Sequence, residues 1–379
     1  LNPTEQTDVW LSRFAKLVVL MTFALIFIGG HTTTSGAGMA FPDWPLSHDS
    51  VNPAGWWENL LQRLEHGHRL TAETVGLLVG ILCAWIWRAK WAIPISAGVS
   101  IVLAVSAGLA GQSRPMIAHV GLWSAAGVFT LLILARLNRE DHVCPARVRW
   151  LAFFAFLGVL AQAVLGGLRV TIESGGDATT ATIFRVVHGC FAQLELCLLV
   201  AIAAMLSPVW PRIAANAEMR MVHRIGWAAA AVIFLQLIVG ATMRHLGAGL
   251  AIPTFPRTPD GGWMPHQHDK FTDLNFTHTR FGAALVALFI LALSLRAMGN
   301  AAGDTRLIRP AALLLALVGA QVTMGIYLIW QMRQPPILTT LHVVNGAAVL
   351  ATAILLTTRA GRAAAAARTE TAPVETVSL

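Results

Sequence analysis

Leu64-Glu65-His66-Gly67-His68-Arg69 opens an apolar run, Leu70 to Trp87, that is long enough to cross a bilayer. The stretch sets a carboxylate, two imidazoles and a guanidinium at one membrane surface. Ionisable groups on a membrane helix are costly to keep and mark functional sites. Glu65 and His68 are three residues apart, so on a helix they share a face. An imidazole can ligate a metal or a haem iron, and a carboxylate beside it can move protons.

The rest of the chain has the same character. Its 379 residues are 56% hydrophobic and 12% charged. A soluble domain carries about twice that charged fraction. The composition predicts an all-α polytopic membrane protein. Ten spans are expected, near 15–33, 69–88, 93–112, 117–136, 150–169, 184–206, 224–244, 277–297, 309–330 and 339–358. The first run lacks a small-residue cleavage site and reads as a span, not a signal peptide. The tail 360–379 is rich in Ala, Thr and Glu and is expected to be disordered and cytoplasmic.

Net charge is +8, but the basic residues lie between apolar runs, so no nucleic acid partner is expected. Placing both termini on one side puts 17 of the 27 Lys and Arg there. The positive-inside rule makes that side cytoplasmic. The long segments 31–63 and 245–276 then face outward. Among the outer basic residues, Arg69, Arg185 and Arg280 each lie within three positions of a candidate histidine. Cys83, Cys144, Cys190 and Cys197 show no metal-type spacing.

The chain repeats itself. Gly36-Ala37-Gly38-Met39-Ala40-Phe41-Pro42-Asp43-Trp44-Pro45 matches Gly247-Ala248-Gly249-Leu250-Ala251-Ile252-Pro253-Thr254-Phe255-Pro256. The copies share Gly-Ala-Gly, one alanine and both prolines. Gln162-x-x-x-Gly166 recurs as Gln321-x-x-x-Gly325, each time before a span that opens on a histidine. Duplicated halves are common in membrane folds. Two pseudo-symmetric four-helix bundles are expected, in an N-terminal half, 1–206, and a C-terminal half, 224–359. The hairpin 93–136 has no counterpart and reads as an insertion in the first half.

Four histidines stand at the outward start of spans: His68 and His188 in the first half, His278 and His342 in the second. Even-numbered helices of an up-and-down bundle run the same way, so their outer ends share a level. Two imidazoles facing across such a core can hold one haem iron axially. Arg69, Arg185 and Arg280 suit the planar carboxylates of haem propionates. Gly67, Gly189, Gly282 and Gly346 leave room for a flat macrocycle or for close helix packing. His119 is a rival to His188, and His66 a rival to His68. Three residues before His68 stands Glu65, and three before His278 stands Asn275. This asymmetry predicts chemistry in the first half and a resident haem in the second.

On these residues the chain resembles the haem A synthase family of bacterial and mitochondrial inner membranes. The likeness is carried by Gly36 through Leu46, Glu65 through Arg69, Gln162 through Gly167 with His188-Gly189, Gly247 through Pro256, His278 and Leu341-His342. It covers nearly the whole chain except the hairpin and the tail. The resemblance implies oxidation of the C8 methyl of haem O to a formyl by successive hydroxylations, giving haem A for a terminal oxidase. It implies His68 and His188 around the substrate haem, Glu65 as the essential carboxylate, and His278 and His342 as ligands of a cofactor haem b. It also implies a bacterial plasma-membrane location, haem O synthase as a partner, and an electron donor that the chain does not identify. The chain departs from the family pattern in two ways. The first outer loop has no cysteine pair, and ten spans replace the usual eight. A di-haem b electron carrier of the quinol-linked type is the alternative, and the repeat alone would also suit a transporter.

Overall fold

The structure is a computed structural model that describes residues 9–87 and 144–370. Among these residues, eight helices are long and apolar enough to cross a membrane, and there is no strand. They are α1 Val9–Thr34, α2 Leu60–Ile86, α3 Ala146–Ser174, α4 Ala178–Met205, α5 Met219–His245, α6 Lys270–Asn300, α7 Thr305–Trp330 and α8 Pro336–Glu370. In hydrocarbon every backbone N–H and C=O must be paired within the segment, so apolar runs of this length become helices. The chain is an all-α polytopic membrane protein. The spans expected at 93–112 and 117–136, the hairpin 93–136 that holds them, and His119 lie outside the described residues.

Two helices start well before their apolar runs. α2 begins at Leu60, where Asn59 Oδ1 accepts from the N–H groups of Leu61 and Gln62. α6 begins at Lys270, where Asp269 accepts from Phe271 and Thr272 in the same way. The Thr272 hydroxyl, with those two N–H donors, also holds the Asp269 carboxyl below the usual carboxylate range. Such side-chain caps satisfy amide donors that the first turn leaves free. Glu65 to Arg69 and Asn275 to Arg280 therefore lie about one and a half to three turns inside their helices, on a rigid backbone. α8 corrects the expected tail. It runs through Glu370, because Ala363 to Ala367 are the strongest of helix formers.

The packing divides the chain into two compact units, with the boundary after Ile202. In the first, α1 packs on α2 and α2 on α3. α3 meets α4 along Gly158, Gln162 and Gly166. In the second, α5 packs against α6 and α8, and α7 against the same two helices. That closes an up-and-down ring of four. Leu77 on α2 and Leu235, Phe281, Leu288 and Leu313 in the second unit are exposed on the helix flanks, as a lipid-facing surface requires.

Candidate functional site

Each of the four histidines is seated against a glycine of the preceding helix. A Cβ on Gly29 would lie 2.7 Å from His68 Cε1, and one on Gly240 would lie 2.5 Å from His278 Cε1. The distances are 3.2 Å from Gly166 to His188 and 3.3 Å from Gly325 to His342. Each imidazole is half-buried, and in all four Nδ1 is covered and has no hydrogen-bond partner. Buried polar nitrogens are as a rule paired, and the same exception recurs at all four equivalent positions. Gln162 donates from Nε2 to the His188 carbonyl at 2.9 Å, and Gln236 donates to the His278 carbonyl at 2.7 Å. Gln321 Nε2 lies 3.1 Å from His342 Nε2. Gln236-x-x-x-Gly240 is thus a third copy of the Gln-x-x-x-Gly motif. Sequence reasoning overlooked it, although the repeat offset pointed to it. α1 has Leu25 in the place of the glutamine.

The second pair fits one haem iron. The His278 and His342 ring centroids are 6.5 Å apart. A metal–imidazole bond is about 2 Å and the ring centre lies about 1 Å behind the nitrogen, so two axial imidazoles on one metal have centroids about 6 Å apart. In the first unit His188 and Arg169 are within electrostatic reach of His68. No ring contact joins His68 and His188 among the described residues. The surroundings differ in the same sense. Gly67 and Gly189 face open space, whereas Gly282 is filled by Gln236, and Gly346 by Leu237 and Gln321.

The outer loops are clamped onto the pockets by the residues beside the histidines. Glu65 is 2% exposed. Its Oε2 accepts from the Phe41 N–H at 2.9 Å and its Oε1 pairs with Arg69 at 2.7 Å. Arg69 also donates to the carbonyls of Phe41, Asp43 and Leu46 and lies over the Phe41 ring. In the second unit Asn275 Nδ2 donates to Ala248 O at 2.9 Å, and Arg280 donates to Thr254 O at 2.7 Å while lying over Phe255. Asp43 and Thr254 are equivalent in the repeat, so Arg69 and Arg280 do the same work.

That equivalence needs a device. Arg69 follows His68 directly, whereas Arg280 is two residues beyond His278. Thr277–Gly282 forms a π-helical turn, which takes up the one extra residue and brings Arg280 to the position Arg69 holds. Such turns are frequent at functional sites.

Arg185 is ion-paired with Glu173. Arg169, which sequence reasoning missed, donates to the Gly38 carbonyl, and Arg333 packs on Gly249, its repeat equivalent. Trp44 lies on Gly167 of α3. His66 is turned into the loop, with Nδ1 3.1 Å from Ser47 Oγ and its ring against Trp56. His266 and His268 pair with Asp260 and Asp273 at the surface. No cluster of three or more metal-type ligands occurs among the described residues.

Gly240→Ala is expected to expel the His278 ring from its seat and cut haem retention in the second unit at least tenfold. Gly325→Ala, with its wider 3.3 Å approach, is expected to retain haem. Haem per chain in purified protein, read by the alkaline pyridine spectrum, checks both.

A family model described as cytochrome oxidase assembly protein, COX15-CtaA, matches residues 118–372. A heme A synthase of Bacillus licheniformis is 23% identical over 321 residues, covering 83% of this chain and 85% of the relative. Heme A synthases of Brucella ovis and Brucella abortus are 29% identical over 96 residues. That stretch is 23% of this chain and 26% of each Brucella relative. With its four glycine-seated histidines and its family match over two thirds of the sequence, the chain belongs to the COX15-CtaA cytochrome oxidase assembly family, the haem A synthase family.

Proposed function

We propose that the chain is a haem A synthase, an oxidoreductase that converts the C8 methyl of haem O to a formyl through successive hydroxylations. The observation that carries this reading is asymmetry within a matched frame. Both units offer a histidine pair, but only the first has a carboxylate three residues before its first histidine, where the second has Asn275. A site that does chemistry on its haem needs such an ionisable group, and a site that only holds a cofactor does not.

His68 and His188 would hold haem O as substrate. His278 and His342 would hold a haem b cofactor. A haem in either place supplies a redox-active iron with an imidazole on each face. Glu65 is held between the Arg69 guanidinium and the Phe41 N–H, so its carboxyl group is fixed on the face of α2 that carries His68. There it stabilises positive charge that develops on the methyl carbon, or accepts its proton. Arg69 and Arg280 hold the loops beside the two histidine pairs, and with Arg185 they would be the propionate partners through their remaining N–H donors. The site would lie at the outer face of a bacterial plasma membrane, with both termini cytoplasmic. Haem O synthase is a natural partner, as the source of the substrate.

The test is co-expression of the full chain with a source of haem O, followed by mass analysis of extracted pigments. Haem A is the expected product. Haem B alone, with haem O supplied, would reassign the chain as a di-haem b electron carrier.

A further inference from the structure

α4 carries a second carboxylate, Glu195, that the site described above does not use. It lies seven residues after His188, on the same helix face and about 10 Å farther along the axis. Glu195 is 4% exposed, and neither carboxyl oxygen has a hydrogen-bond partner. It fills the space left by Gly158 of α3, where a Cβ would collide with Oε2. Gly158, Gln162 and Gly166 follow at four-residue steps and form one stripe on α3. That stripe meets Glu195, the His188 carbonyl and the His188 ring in turn.

The repeat supplies an internal control. Aligning Gln162 and Gly166 with Gln321 and Gly325, and His188 with His342, sets Gly158 against Leu317 and Glu195 against Val349. The second unit therefore has two aliphatic side chains where the first has a glycine and an acid. Val349 is buried. In the second unit Asn345 Nδ2 also donates to Leu317 O at 2.9 Å and to Gln321 Oε1 at 2.7 Å. Phe191 stands in Asn345's place in the first unit, and Gln162 Oε1 is buried without a partner. One seam has its polar groups paired and aliphatic side chains where the other has the glycine and the acid. Its counterpart holds a row of open acceptors leading from Glu195 to His188.

A carboxylate buried without a counter-charge is far less favourable than the neutral acid, so the group keeps its proton. Polar atoms in such a row are ordinarily bridged by water. We infer that Glu195 is a proton-carrying site of the first unit: it holds a proton as a neutral carboxylic acid inside the membrane and exchanges it with the His188 pocket through water along Gln162. In each transfer the Glu195 O–H bond breaks, the proton moves along the water file to a base in the His188 pocket, and the carboxylate is reprotonated by a hydronium ion drawn from bulk water. No electron moves in the step. The inference deepens the haem-oxidation reading and rests on it for the purpose of the transfer.

The test uses the full chain in lipid nanodiscs. Infrared spectra in H2O and D2O are expected to show a protonated-carboxyl C=O band that shifts on deuteration and disappears in Glu195→Gln. Absence of the band, its persistence in Glu195→Gln, or failure to shift in D2O would overturn the proposal whether or not the chain makes haem A. With haem O supplied, Glu195→Val is expected to slow haem A formation at least tenfold at unchanged haem content. The double variant Gly158→Leu/Glu195→Val, which rebuilds the packing of the second unit, is expected to behave the same way. Wild-type turnover in either variant would show that the acid only fills space.

Discussion

Glu65→Ala is expected to keep its haem and to lose haem A output by about 100-fold or more. Removing one preorganised charge or proton acceptor from a reacting centre typically costs two to three orders of magnitude. The substitution leaves all four histidines and their glycine seats in place, so haem binding persists. It also frees the Phe41 N–H and leaves Arg69 with its loop carbonyls, so the first loop loosens without detaching. Glu65→Asn, which installs the residue of the second unit, separates the two effects. Asparagine can still tie the loop, as Asn275 ties Ala248, but it carries no charge. Haem A output that falls equally in both variants assigns the loss to the missing carboxylate. Normal output from Glu65→Asn would reduce Glu65 to a loop anchor. Haem content and pigment mass, measured on the same preparations, decide between them.

Much of this arrangement can be read from residue order, and its limits have physical causes. Apolar runs locate the spans because the bilayer sets their length. The four histidines and the Glu65/Asn275 difference stand out because polar groups are rare in such runs. The seats at Gly29 and Gly240 are also encoded, at the repeat offset of 211, but a glycine in a membrane helix has many uses. Only its approach to an imidazole distinguishes it. The extra Thr279 shifts the repeat register between His278 and Arg280, and a register shift does not say whether a loop or a π-helical turn absorbs it. The direction of a guanidinium is not encoded at all. Arg69 and Arg280 were legible as charges beside histidines, and the structure turns several of their donors to loop carbonyls. Arg169, two residues beyond the Gln162–Gly167 motif, stands beside no histidine in the sequence, and the packing of α3 under the first loop brings it to Gly38.

His278→Ala is expected to empty the second unit of haem while the first retains its own. The ring centroid separation of 6.5 Å from His342 leaves one imidazole unable to complete the axial pair. A ligand present at a thousand times its Kd stabilises the folded state by about 4 kcal/mol. For a unit of this size that corresponds to a fall in Tm of about 10 °C. Differential scanning of the purified variant, with and without added haem, reads this directly. An unchanged Tm together with unchanged haem content would remove His278 from the ligand set.

The pairing itself is tested most directly by low-temperature electron paramagnetic resonance of the oxidised full chain, loaded with haem B and haem O, in wild type and in the four single variants His68→Ala, His188→Ala, His278→Ala and His342→Ala. The account predicts two low-spin bis-imidazole signals in wild type, one lost in both His68→Ala and His188→Ala and the other lost in both His278→Ala and His342→Ala. Signals that disappear in any other combination, or a single signal insensitive to one member of a pair, would contradict it.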